Sequence, residues 1–228
     1  MIQFVKIPRN LRELTGKTRY VDLAIYAEIR SRENHTIAKY GYDKLAKKLH
    51  ISEQTIKESL VRLESAGFIE ITQESTNKYK RLDKNTGEII DGVYNIYKFI
   101  DLKEYGFVAI KAELLNSGFK GKELGILIYL ELISDFGIIL YKNQNELATK
   151  LGFTTKTLRK YLNSFTDYLQ PIKNGIKTVN IRQIFEDEIQ WEKSVVTPDI
   201  YIWLSSIELL QKFPSMRFWV KHYIKPVI

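Results

Sequence analysis

The sequence predicts an α+β, helix-rich fold in which one motif is used twice and a third, helical segment closes the chain. Three observations carry this. The stretch Tyr42–Gly67 has the spacing of two short helices, a tight turn and a following strand. The stretch from Asn145 onward repeats it at a constant offset. All three tryptophans, Trp191, Trp203 and Trp219, lie in a last segment of different character.

In the first motif Leu45, Ala46 and Leu49 share one face of a short helix, and His50-Ile51 forms the turn. Ser52 suits an N-cap, because its hydroxyl can accept a bond from a free N–H of the next helical turn. Ile56, Leu60 and Leu63 then recur at i, i+4 and i+7, one buried stripe. The opposite face carries Glu53, Gln54, Thr55, Lys57, Glu58 and Arg62. Gly67 ends that helix, and Phe68-Ile-Glu-Ile alternates as a strand does. This is the plan of a helix-turn-helix followed by a wing, whose second helix enters the major groove of DNA.

Around it, Phe4-Val-Lys-Ile-Pro reads as an entry strand, and Leu11 and Leu14 lie near a short turn broken at Gly16. Arg19–Arg32 reads as a helix with Val21, Ala24, Ile25 and Ile29 inward. Thr36–Tyr40 reads as a short strand. A long wing over residues 74–92 has its tip at Lys84-Asn-Thr-Gly, where Gly87 is free to take positive φ. Val93–Ile100 returns as its partner, so the first unit spans residues 1–105.

The second unit, residues 106–181, restarts the pattern. Phe107-Val-Ala-Ile parallels Phe4-Val-Lys-Ile, and Gly121-Lys122 opens a helix as Gly16-Lys17 does, with Ile126, Leu127, Leu130 and Ile133 as its apolar face. Ile138–Tyr141 reads as a strand. Asn145–Leu162 then lies over Asp43–Leu60: Leu45/Leu147, Ala46/Ala148, Lys48/Lys150, Leu49/Leu151, Thr55/Thr157 and Leu60/Leu162 are identical. Ile51/Phe153, Ser52/Thr154 and Ile56/Leu158 keep their chemistry. A shorter wing follows: Leu169–Ile172, a hairpin turn at Asn174-Gly175, then Lys177–Ile181. The fold expected is two tandem winged helix-turn-helix repeats.

Residues 182–228 read as a helical C-terminal brace. Arg182–Lys193 is an acidic helix, Thr197-Pro198-Asp199 is a strong helix start, and a last helix precedes Pro226.

The 228 residues are 44% apolar and 27% charged, a globular balance, with formal charge +8. Residues 1–105 carry 19 Lys+Arg and 15 Asp+Glu, residues 106–180 carry 10 and 6, and residues 181–228 carry 6 and 6. The excess is therefore +4, +4 and zero, so an anionic partner is expected at the two repeats and not at the brace. The absence of cysteine excludes disulfide and thiolate-metal frameworks and suggests a reducing compartment. The opening residues are too few and too polar for a signal peptide, and no apolar run approaches the length that spans a bilayer. A soluble cytoplasmic protein with no membrane partner is expected.

The richest candidate surface is the second helix of the second pair. From Lys150 to Tyr161 it holds Lys150, Lys156, Arg159 and Lys160 and no acid, with Thr154, Thr155, Thr157 and Asn163 as hydrogen-bonding groups. Such a face neutralises backbone phosphates. The first helix-turn-helix offers a mixed face, Ser52, Gln54, Thr55, Lys57, Glu58 and Arg62. There Gln suits adenine and Glu can accept from cytosine N4. Lys80 and Arg81 on the long wing, and Lys173 and Lys177 beside the short one, are candidate phosphate contacts; a merely solvated charged face has the same appearance. His35, His50 and His222 show no metal-ligand spacing. Gly16-Lys17-Thr18 resembles the end of a phosphate loop, but Leu11 stands where that motif needs glycine. No catalytic residue, metal or cofactor is expected, and the protein reads as a non-enzyme.

Leu-Ala-Lys-Lys-Leu, Ile-Ser-Glu-Gln-Thr-Ile and Leu-Glu-Ser-Ala-Gly-Phe-Ile resemble the helix-turn-helix of replication initiators and replisome organisers in Gram-positive plasmids and phages. The tandem arrangement over residues 1–181 resembles tandem winged-helix DNA-binding proteins of Gram-positive mobile elements, among them transfer proteins of enterococcal-type conjugative plasmids. The resemblance implies an internal pseudo-dimer that binds double-stranded DNA near a transfer origin and represses transfer genes. A plasmid replication initiator is the alternative of the same class. A protein-interaction scaffold whose helices no longer touch DNA is the alternative of another.

Overall fold

The computed structural model describes residues 4–16, 18–33, 37–82, 87–100, 106–135 and 137–183, with backbone alone at 37, 74–82 and 90–94. The predicted C-terminal brace thus lies outside the described residues from 184 on. The described chain is α+β, with seven helices and three small antiparallel sheets. Its order is β1 (Phe4–Pro8), a 3-10 turn (Arg9–Glu13), α1 (Arg19–Arg30), β2 (Ile37–Tyr40), α2 (Tyr42–Leu49), α3 (Glu53–Ser65), β3 (Ile69–Leu82) and β4 (Ile89–Phe99). Then follow β5 (Phe107–Lys111), α4 (Ala112–Leu115), α5 (Gly121–Ile133), β6 (Ile138–Leu140), α6 (Gln144–Leu151), α7 (Thr155–Ser164), β7 (Leu169–Ile172) and β8 (Gly175–Thr178). The sheets run β2-β4-β3, β6-β8-β7 and β1-β5, so the first two have the same strand order. No helix among the described residues is long and apolar enough to cross a membrane.

The same local devices shape both helix pairs. His50 ends α2 in the left-handed region (φ 52°), and Gly152 ends α6 there (φ 67°). Ser52 caps α3 by accepting from the Thr55 N–H at 3.1 Å, and Thr154 caps α7 by accepting from the Thr157 N–H at 3.2 Å. Both caps satisfy a donor that the first helical turn leaves free.

The β1-β5 ladder relates the halves. Phe4 pairs with Lys111, Lys6 with Ala109 and Pro8 with Phe107. Phe4 and Phe107 hold matching positions in the predicted repeat, and the antiparallel pairing is centred on Lys6 and Ala109. Beside it α1 packs on α5 with almost no gap: a Cβ at Gly125 would lie 1.6 Å from the Tyr20 carbonyl oxygen. The turn between α6 and α7, and that between α2 and α3, each lean on the other half. The Tyr20 hydroxyl donates to Leu151 O at 2.6 Å, and Arg19 reaches Lys150 O at 3.3 Å. Reciprocally, Leu49 and Ile51 pack against Gly121 at the start of α5. One hydrophobic core runs through both halves.

Several expectations change. The periodic reading gives α1 and α5 one inward stripe each, but both are buried nearly all round, including Asp22, Glu28 and Glu131. They are the central layer and have no solvent face to display; Val21 and Ile133 are only half-buried. The first wing is mostly ladder: β3 and β4 pair from Ile69↔Phe99 to Leu82↔Ile89, with a register shift between Thr76 and Lys80. The short wing turns at Lys173-Asn174, because Ile172 already pairs with Gly175. Asn174 supplies the positive φ (58°), and Gly175 is needed for space, since a Cβ there would lie 2.6 Å from Ile139 O. Finally, residues 181–183 bond along the edge of β5, through Lys111 N–H to Ile181 O and Gln183 N–H to Ala109 O. The second unit thus returns to the central sheet where the sequence suggests a boundary.

Candidate nucleic-acid interface

The two predicted recognition helices are α3 and α7, each presented by a capped N-terminus and a preceding tight turn. On α7, Lys156, Arg159, Lys160 and Asn163 are exposed and Thr155 and Thr157 are half-buried. Arg159 Nε donates to Gln144 Oε1 at 2.7 Å, and the Thr155 hydroxyl donates to Asn145 Oδ1 at 2.6 Å, which tie α7 to the start of α6. Thr154 and Thr157 face one another at 2.9 Å as cap partners. The helix from Thr155 to Ser164 contains three cations and no acid.

The outer face of α3 is different. Gln54 donates to Glu58 at 2.9 Å, Lys57 lies 5.7 Å from the centre of the Tyr42 ring, and Ser52 and Thr55 are paired at 2.8 Å in the cap. Arg62 faces inward: its Nε and Nη2 donate to Asp22 on α1 at 3.0 and 2.7 Å. Asp22 is 1% exposed, and this bond holds the Arg62 guanidinium more firmly protonated than usual. Arg62 therefore leaves the candidate set, because its charge is already spent. Glu64 accepts from Ile71 N–H at 3.0 Å and is likewise engaged. Lys57, Glu53 and Glu58 remain on the exposed face, a net of −1 against +3 on α7.

Replacing Arg62 with Ala should cost on the order of 2 kcal/mol, since it strips the charged partner from a buried carboxylate. Urea unfolding would measure this; a loss below about 0.5 kcal/mol would show Asp22 content without Arg62.

On the wings, Lys80 and Arg81 lie on β3 opposite Asp91 and Ile90. Lys173 is exposed in the turn of the short wing, and Lys177 is exposed on β8, paired with Ile138 and Gln170. The first helix of the first pair carries charge as well. Lys44, Lys47 and Lys48 recur on α2 at i, i+3 and i+4, a signal legible as a row of charge. No group of three or more His, Asp or Glu among the described residues is placed to hold a metal ion. Compared with known proteins, the chain matches no family model, no curated protein and no solved structure.

Proposed function

We propose that the chain is a sequence-specific double-stranded DNA-binding protein, two tandem winged helices joined as an internal pseudo-dimer. The observation that supports this is the presence in one chain of two helices with matching caps and matching preceding turns, α3 and α7, the second an acid-free, exposed row of cations. A lone recognition helix reads only a few base pairs, so such readers work in pairs. Here both lie in one chain, locked by β1-β5 and by α1 on α5. The resemblance to transfer proteins of conjugative plasmids adds the role: a regulator that represses transfer genes on a plasmid or other mobile element, without enzymatic activity. Selection of bound fragments from that element tests the role; a promoter or transfer-origin site is the expected result, and direct repeats of an origin would make it a replication initiator instead.

The stoichiometry follows from the same geometry. One chain should occupy one bipartite site, whose halves are about one helical turn, ~34 Å, apart and differ in sequence. Gln54→Ala should relax the preference in one half and Arg159→Ala in the other. Two chains bound to a perfect palindrome, by native mass spectrometry, would rule out the internal pseudo-dimer.

A further inference from the structure

The first repeat poses a charge problem. Its segment carries an excess of +4, yet the exposed face of α3 is net acidic. Three cations lie instead on α2. Lys44, Lys47 and Lys48 stand on the side of that helix away from the buried Leu45 and Leu49. Together with Arg32 at the end of α1, Lys39 on β2 and His50 in the turn, they line an open cavity of about 700 Å³. Tyr40 completes the described lining, which contains no carboxylate among the described residues.

A buried acid is tied to two of these cations. Glu28 is 0% exposed, and its Oε1 lies 3.3 Å from the Tyr40 hydroxyl, 3.5 Å from Lys48 Nζ and 3.6 Å from Arg32 Nη2. Burial pushes its carboxyl above the usual range. Glu28 sits against Lys48 and Arg32 and reaches neither Lys44 nor Lys47. Lys48 also donates to Asn116 Oδ1 at 2.7 Å, which fixes one wall to the second repeat. Arg32, Lys44 and Lys47 are exposed. Like charges gathered in a concave surface repel one another and raise the local concentration of anions.

We propose that this cavity is a second phosphate-binding site, taken by backbone phosphates of the same duplex that α3 and α7 read. This rests on the DNA-binding reading above. The cavity adjoins the α3 reader, because His50 lines it and stands two residues before the Ser52 cap. The described lining suits phosphate: Tyr40 gives its hydroxyl to Glu28, its ring lies 5.5 Å from the Arg32 guanidinium, and no side-chain amide is present among the described lining residues. The two repeats therefore grip DNA unequally. The second holds phosphates with its recognition helix; the first holds them with the helix before it, leaving α3 to discriminate.

The test is Lys44→Gln with Lys47→Gln in the full chain, measured against a site-containing duplex and an unrelated one. Both side chains are exposed, so circular dichroism should be unchanged. Affinity for both duplexes should fall on the order of tenfold at ~0.1 M salt, and the slope of log affinity against log salt should lose roughly two, with base preference unchanged. Lys44→Arg with Lys47→Arg should keep the native slope. A wild-type chain that binds DNA while the Gln variant keeps its slope would overturn the cavity site and leave the proposed function standing. A wild-type chain that binds no duplex would overturn both. Inorganic tripolyphosphate provides the other arm: binding that disappears in the Gln variant, with the DNA slope intact, would assign the cavity to free anions and overturn its place on the duplex.

Discussion

A chain carrying Lys156→Ala, Arg159→Ala and Lys160→Ala should bind every duplex more weakly, on the order of a hundredfold at physiological salt, with a salt slope shallower by about three. Each lost phosphate contact retains counterions that the native complex releases, so the effect is shared by specific and unrelated DNA. The fold should survive. All three side chains are exposed, alanine is the better helix former, and the bond broken, Arg159 to Gln144, is at the surface. The capped start of α7 depends on Thr154, which is untouched. Fluorescence anisotropy over a range of salt would read both quantities. A folded triple variant with native affinity and slope would favour the scaffold alternative, in which these cations are merely solvated.

What the sequence made legible here is local chemistry. Ser52 and Thr154 announce caps, His50 and Gly152 mark the turns, and Gly87 and Asn174 sit where a wing needs positive φ, because each acts on residues within a few positions of itself. The exposed cations of α7 were visible for the same reason. What stayed hidden depends on partners far away in the chain. Arg62 looks like part of a polar outer face, and only the arrival of Asp22, forty positions earlier, turns it inward. Glu28 and Glu131 interrupt apolar helices and look like solvent-facing positions, yet both are buried. Glu131 survives there because the Thr178 hydroxyl donates to it at 2.5 Å, and burial raises its carboxyl as it does that of Glu28. The Lys44, Lys47 and Lys48 row reads as an ordinary solvated face until β2 and the end of α1 close the cavity around it.

Gly125 is the extreme case, and it sets up a test with opposing expectations. Within a helix interior, glycine to alanine should stabilise by about 1 kcal/mol, because alanine is the better helix former. At the α1–α5 crossing the sign reverses. The new methyl would lie 1.6 Å from the Tyr20 carbonyl oxygen and 2.4 Å from its carbonyl carbon. Those are backbone atoms, so no side chain can swing aside, and the helices must separate. Overpacking of this kind costs about 3 kcal/mol or more. For a chain of this size the melting temperature should fall by roughly 10 °C. The damage should also reach DNA binding beyond what stability explains. Tyr20 stacks edge-on against Tyr129 at 5.5 Å, lies 5.3 Å from Phe153 and holds the end of α6 through Leu151 O. Pushing Tyr20 away therefore moves the turn before α7, and with it the spacing between α3 and α7, the two proposed readers. A bipartite site of fixed separation should lose affinity for Gly125→Ala at temperatures where the variant is fully folded, whereas an isolated half-site should lose less. A variant that melts within about 2 °C of the native chain would mean the crossing is looser than the 1.6 Å approach requires.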